Sequence, residues 1–163
     1  MKMSIRRFEI ERVTVTSSRP FEAVVAALKD AVGRLDLVEF AKASKGGTFA
    51  ELKEVIDRNP GKTGLMLFME LDHGGVLRKE TGRTTPKIVR LVIGNPLVMK
   101  EMAKHVPEAG SYAPVTVLGW MSETMAFTCR MTGWPASWRH TATSMLSPSL
   151  EIWILKSRTF FNQ

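Results

Sequence analysis

The sequence predicts an α+β fold: a single compact domain in which a small, mostly antiparallel sheet packs against helices. Three observations predict it. Residues 8–15 alternate apolar and polar side chains, as in a strand with one buried face. Apolar residues recur at helical spacing from Phe21 to Val32, and residues 64–71 form an almost uninterrupted apolar run. A chain of 163 residues is long enough to bury one sizeable core.

Local signals place the elements of the first half. Pro20 suits the first turn of a helix over residues 21–32, because its fixed φ is already helical. Residues 44–47, Ser-Lys-Gly-Gly, predict a flexible loop. Thr48 and Glu51 have the spacing of a capping box, in which a hydroxyl and a carboxylate satisfy the free amides of a helix start. A second, short helix is therefore expected after Thr48.

Three further strands are predicted in the second half. The apolar run over residues 64–71 fits a central strand covered on both faces. Residues 87–93 and 113–118 are rich in β-branched side chains, which favour strands. Helical spacing resumes after Asn95, between these two strands. Residues 76–80 are also expected to be helical, so the predicted order is strand, helix, helix, strand, helix, strand, helix, strand.

The charge pattern argues against nucleic-acid and membrane partners. The net charge is +7, but basic and acidic residues are interspersed through residues 1–118, and aromatic residues do not alternate with the basic ones. No stretch reaches the roughly 18 apolar residues of a membrane helix, and no signal-peptide pattern follows the basic start. One cysteine cannot form an internal disulfide. We therefore expect a cytoplasmic protein with no cofactor.

Four segments together resemble one known family. They are Glu70-Leu71-Asp72-His73-Gly74, the strand ending in Gly94-Asn95-Pro96, residues 105–109, and the Pro-x-x-Val strand over residues 113–117. In order and spacing they are similar to the family catalogued as domain of unknown function 302, over residues 8–118. The resemblance implies a compact α+β fold around a small sheet. It is also compatible with a homodimer. It implies no known reaction and no catalytic residues.

The composition changes at Leu118. All four tryptophans and the one cysteine lie in residues 119–163, a segment without Asp or Val. Trp and Met each have a single codon, so their nucleotides are known. When the reading frame is shifted so that a codon takes the last base of the Trp120 codon and the first two bases of the Met121 codon, that codon must encode aspartate. Our hypothesis is that residues 119–163 are translated out of frame, and the alternative is a genuine divergent ending. The shifted ending is expected to pack poorly, with residues 124–131 taking a strand position.

The candidate site residues follow two predicted strands. Asp72 and His73 end the apolar run, where a carboxylate beside an imidazole could orient a base. Neighbours on a strand point to opposite faces, so they share a site only if the strand has ended. Glu70 is a third candidate, but no second histidine has ligand spacing, so no metal site is predicted. Asn95 fits a helix N-cap, and on the functional interpretation it lies at the same sheet edge as Asp72 and His73.

Three classes of function remain open. The preferred one is a domain that binds a small polar ligand in a cleft near Asp72, His73, Asn95 and Glu70. The second is an enzyme with His73 as general base, and the third is an interaction module that dimerises through a sheet edge. The structural alternatives are that Asn95 only caps a helix, that His73 only satisfies loop backbone, and that the glycines after His73 serve a turn with positive φ. A cleft lined by Asp72 and His73 would favour the first two classes, and an open face without one would favour the third.

Overall fold

The computed structural model describes residues 3–5, 7, 10–58, 60–121 and 127–135. The elements in chain order are β1 (Ile10–Ser17), α1 (Phe21–Ala31), β2 (Gly33–Arg34), α2 (Leu37–Gly46), α3 (Phe49–Asp57), β3 (Met66–Asp72), α4 (His73–Thr81), β4 (Ile88–Gly94), α5 (Pro96–Ala103), a 3-10 helix (Pro107–Ser111), β5 (Val115–Met121) and β6 (Phe127–Pro135). The predicted α+β fold is confirmed.

All six strands form one sheet in the order β1-β6-β5-β4-β3-β2. The β2–β3 pair is parallel, and the other four pairs are antiparallel. The sheet is therefore mostly antiparallel, as predicted. In the described part of the chain, β1 and β2 are the two edge strands.

Helices pack on both faces of the sheet at the β3 end. Met66 and Leu67 are neighbours in β3, so their side chains point to opposite faces. Leu67 joins Val24 of α1 in one buried cluster, which is completed by Val89, Leu91, Ile93 and Val117. Met66 joins Leu35 and Ile56 in the other, against partly buried residues that include Leu52 and Leu97. We call the face that carries Leu67 the α1 face and the opposite one the outer face.

Side-chain caps begin helices α2 and α3. The hydroxyl of Thr48 accepts a hydrogen bond from the Glu51 amide (3.3 Å), and the Glu51 carboxylate accepts one from the Thr48 amide (2.6 Å). The predicted capping box is therefore confirmed. Asp36 caps α2 in a similar way, accepting from the amides of Val38 and Glu39.

The loop predicted over residues 44–47 is wrong for most of its length. Helix α2 continues to Gly46, and only Gly47 lies outside it. The cap at Asp36 fixes the helix start, and α2 packs against α3 with Phe40 turned toward the second core cluster. This tertiary contact outweighs the weak helix propensity of the Ser-Lys-Gly sequence.

The sheet continues past Leu118. Strand β5 runs to Met121, and β6 pairs with both β5 and β1. The strand expected over residues 124–131 overlaps β6, which begins later and ends at Pro135. The expected poor packing of the ending beyond Pro135 lies outside the described residues. Within those residues, no helix has the length and apolar character needed to span a membrane.

Candidate functional site

Asp72 joins the end of β3 to the start of α4. Its carboxylate accepts one hydrogen bond from the Gly75 amide (2.8 Å) and one from Arg78 Nη2 (2.7 Å). These bonds hold the pKa of Asp72 below its ordinary value, with the Gly75 amide as the largest cause, and the charges of Arg78 and His73 act in the same direction. The carboxylate is therefore engaged as the N-cap of α4.

The glycines after His73 serve close packing. Both lie within helix α4, so the expected turn with positive φ is not their reason. A Cβ on Gly74 would lie 2.5 Å from the Pro86 carbonyl oxygen and 2.6 Å from the Ile88 amide nitrogen. Gly74 therefore lets α4 pack directly against the backbone that leads into β4.

His73 is exposed at the first position of α4. The strand ends at Asp72, so strand alternation does not force the Asp72 and His73 side chains to opposite faces. His73 is also close enough for its charge to affect the Asp72 pKa. Among the described residues, no group of three His, Cys, Asp or Glu side chains is arranged to hold a metal ion.

Glu70 forms an ion pair between the sheet and helix α1. It pairs with Leu91 of β4, which places its side chain on the α1 face. There its Oε2 accepts from Lys29 Nζ at 2.7 Å, and both side chains are more than a third exposed. An ion pair this exposed contributes little to stability, about 0–1 kcal/mol.

Asn95 is the N-cap of helix α5, as the sequence predicts. Its Oδ1 accepts from the Leu97 amide (2.8 Å), and its Nδ2 donates to the Gly64 carbonyl oxygen (2.8 Å). Both ends of the amide side chain are thereby engaged with backbone. The second bond also ties the start of α5 to the loop before β3.

The expectation that Asn95 shares a sheet edge with Asp72 and His73 is wrong. Strands β3 and β4 are antiparallel, with Met66 opposite Gly94 and Asp72 opposite Val89. Asn95 therefore lies at the start of β3, and Asp72 at its end. Six residues of strand span about 20 Å, too far for one small ligand to contact both side chains.

The structure reveals two surfaces that the sequence interpretation does not single out as sites. One is the edge of β1, which is one of the two edge strands of the described sheet. The other is the outer face of β3, β4 and β5, where Leu71, Arg90 and Leu118 lie side by side in register. The alternation of side chains within each strand predicts which residues share this face. The strand order that assembles it is set by contacts distant in sequence.

Comparison with known proteins identifies the family. A sequence model described as "Domain of unknown function DUF302" matches residues 40–128, more than half of the chain. Among solved structures, the match includes the crystal structure of uncharacterized conserved protein DUF302 from Bacillus stearothermophilus, with 12% identity, 74% of this chain and 71% of that chain covered, and a TM-score of 0.47. No curated protein matches significantly. The resemblance predicted from the four segments is confirmed: this chain belongs to the DUF302 family.

Proposed function

We propose that this domain is an interaction module that forms a two-fold symmetric dimer by pairing the edges of β1. The observation that carries the proposal is the edge itself. Strand β1 has eight residues and pairs with β6 on one side. In the described part of the chain, no strand pairs with its other side. An unpaired edge presents a row of amides and carbonyls that a second strand can satisfy.

The composition of this edge supports pairing. Exposed edge strands are usually protected by proline, by lysine, by short length or by a bulge. The pairing of β1 with β6 has a register shift between Ile10 and Arg12. The part that follows, from Arg12 to Ser17, pairs without a break and contains no proline and one charged residue. Thr14 and Thr16 are exposed and β-branched, which favours a strand.

Symmetry limits the register of such a dimer. A two-fold axis perpendicular to the sheet places the same face of both copies on the same side. Residues directly opposite one another across the dimer must therefore come from the same face. Centring the pair on Thr14 places Val13 opposite Val15 and Arg12 opposite Thr16 of the second copy. This register avoids opposing the two Arg12 side chains, which a centre at Arg12 would do. The two sheets would then join into one.

The ligand-binding and enzymatic interpretations have less support. Asp72 and Asn95 bond to backbone and lie at opposite ends of β3, and Glu70 pairs with Lys29. Binding of a small polar ligand near Asp72 and His73, and a role of His73 as general base, stay predictions. A thermal-shift screen against metals, nucleotides and sulfur metabolites tests both.

Sedimentation equilibrium over a range of protein concentrations tests the dimer. We expect a single monomer–dimer equilibrium with a monomer mass of 18.2 kDa. Thr16→Lys places a lysine opposite Arg12 of the second copy, and we expect it to weaken the dimer at least tenfold. Thr84→Lys makes the same change at an exposed residue outside β1 and serves as the control. A wild-type protein that stays monomeric at every concentration, or equal effects of both variants, would contradict the proposal.

A further inference from the structure

The outer face has a defined set of residues over β3, β4 and β5. Leu71, Arg90 and Leu118 are directly opposite one another in neighbouring strands. Met69, Val92 and Thr116 form the adjacent row. Residues opposite one another share a face, and these six alternate with the side chains of the α1 face. All six lie before residue 119, where the atypical segment begins.

This region of the outer face is accessible. Arg90 is exposed, Met69 is 48% exposed, and the other four side chains are half-buried. The second core cluster lies beside it, over Met66 and Phe68, where α2, α3 and α5 cover the sheet. The described helices therefore cover one end of this face and leave an apolar surface at its centre. A sheet normally buries its apolar faces under another layer.

The charge of this surface is entirely positive. Arg90 lies between Leu71 and Leu118, and it forms no ion pair within the described residues. On the other side of Leu118 lies Arg130, about 10 Å from Arg90 across two strand spacings. Arg130 Nε donates to Thr14 Oγ1 (3.2 Å), and it has no acidic partner among the residues that the structure describes. A charge covered by an apolar layer needs an opposite charge, so whatever covers this face must supply carboxylates.

We propose that the outer face docks an acidic amphipathic helix of a partner protein. A helix lays an apolar stripe on Met69, Val92 and Leu118 while its flanking Asp or Glu side chains reach Arg90. Residues 136–163, as they read in this sequence, have the wrong charge for this role, because they contain three basic residues and one acidic residue. A frame-corrected chain whose own ending buries the outer face would overturn the proposal. The proposal goes beyond the dimer of β1 edges and is independent of it, because the edge and the face are different surfaces.

Single-stranded nucleic acid is the competing occupant of a basic sheet face. Such a platform needs an aromatic ring open to a base. The ring of Trp120 next to this surface is covered by the guanidinium of Arg130, 5.2 Å from its centre. The side chains of Met69, Leu71 and Val92 also offer no hydrogen bonds to bases. An amphipathic helix fits both features better.

A matched pair of synthetic peptides tests the proposal. Each has about 15 residues, with leucine at helical spacing on one side; the other side carries glutamate in the first peptide and lysine in the second. Titration into the isotope-labelled full chain is followed by NMR. We expect the glutamate peptide to bind and to shift the amides of Val92, Thr116 and Leu118. Arg90→Glu should weaken it at least tenfold, while Lys79→Glu, an exposed control on α4, should leave it unchanged.

The alternatives give different results. Equal binding of both peptides, an unchanged affinity in Arg90→Glu, or shifts confined to the helices would overturn the proposal. So would a thymidine oligonucleotide that shifts the same amides when neither peptide does. Thr16→Lys distinguishes peptide binding from dimerisation. A monomeric Thr16→Lys variant that still binds the glutamate peptide supports docking on the outer face, whether or not the β1 edges form the dimer.

Discussion

The side chain of Arg78 connects the start of helix α4 to the loop that leads into β4. Its Nη2 donates to Asp72 Oδ2 (2.7 Å) at the helix start, and its Nη1 donates to the Pro86 carbonyl oxygen (2.9 Å) just before β4. Arg78 is the less exposed member of its ion pair, at 28% against 58% for Asp72. One guanidinium therefore fixes the connection between β3 and β4.

Replacing Arg78 tests this connection. Arg78→Met keeps the aliphatic stem but loses the hydrogen bond to the Pro86 carbonyl, which by itself should lower the free energy of unfolding by about 1 kcal/mol. Lys79→Met changes the exposed neighbour and is the control. Urea denaturation of both variants gives the comparison. Equal stability of the two would show that the Arg78 contacts contribute nothing.

The Asp72 carboxyl should make stability depend on acid pH. Its pKa is lowered in the folded protein, chiefly by the Gly75 amide and also by Arg78. A carboxyl with a lowered folded pKa stabilises the protein above its unfolded pKa of about 3.9, and this contribution is lost as pH falls through the folded pKa.

Asp72→Asn removes this titration while keeping an oxygen that can accept from Gly75. We expect a shallower fall of the unfolding free energy between about pH 5 and pH 2 than in the wild type, measured by urea denaturation at each pH. Other carboxyls will keep part of the slope, including Glu101, whose bonds to Lys100 and Lys104 lower its pKa to about 2. An unchanged dependence of the unfolding free energy on pH would contradict the role given to Asp72.

Two glycines offer a matched test of packing against backbone strain. Gly61 and Gly64 both have positive φ, 61° and 74°. A Cβ on Gly61 would overlap the backbone of Val32 and Gly33, whereas one on Gly64 would meet open space. Gly64→Ala should therefore cost only the strain, about 1–2 kcal/mol, and Gly61→Ala clearly more. Thermal unfolding of the pair is the measurement, and equal losses would contradict the packing argument.

Short-range features of this fold could be predicted from sequence, whereas the arrangement of the candidate site could not. The capping box at Thr48 and the N-cap at Asn95 depend on residues two or three positions away, so local spacing reveals them. The distance between Asp72 and Asn95 depends on the antiparallel pairing of β3 with β4. Residue patterns indicate that both strands exist, but pairing direction is set by the whole sheet. The two-residue strand β2 is likewise too short to leave a periodic signal.

The reading frame after Leu118 is testable in the gene. We expect resequencing of codons 115–125 to find a single-base insertion or deletion whose correction replaces the ending and gives aspartate at the Trp120/Met121 boundary. The reason is the abrupt change of composition, with every tryptophan after Leu118. If no single-base change restores an ending like that of the family, residues 119–163 are a genuine divergent sequence.

Disulfide trapping at the centre of the β1 edge tests the proposed dimer most directly. Thr14→Cys, with Cys129 replaced by serine, places a thiol opposite itself in the second copy, at a spacing close to that of a disulfide. Thr84→Cys in the same background gives the rate of disulfide formation by random collision. We expect Thr14→Cys to form a covalent dimer under mild oxidation at low micromolar concentration, at least tenfold faster than Thr84→Cys. Equal rates for the two variants would contradict the pairing of β1 edges.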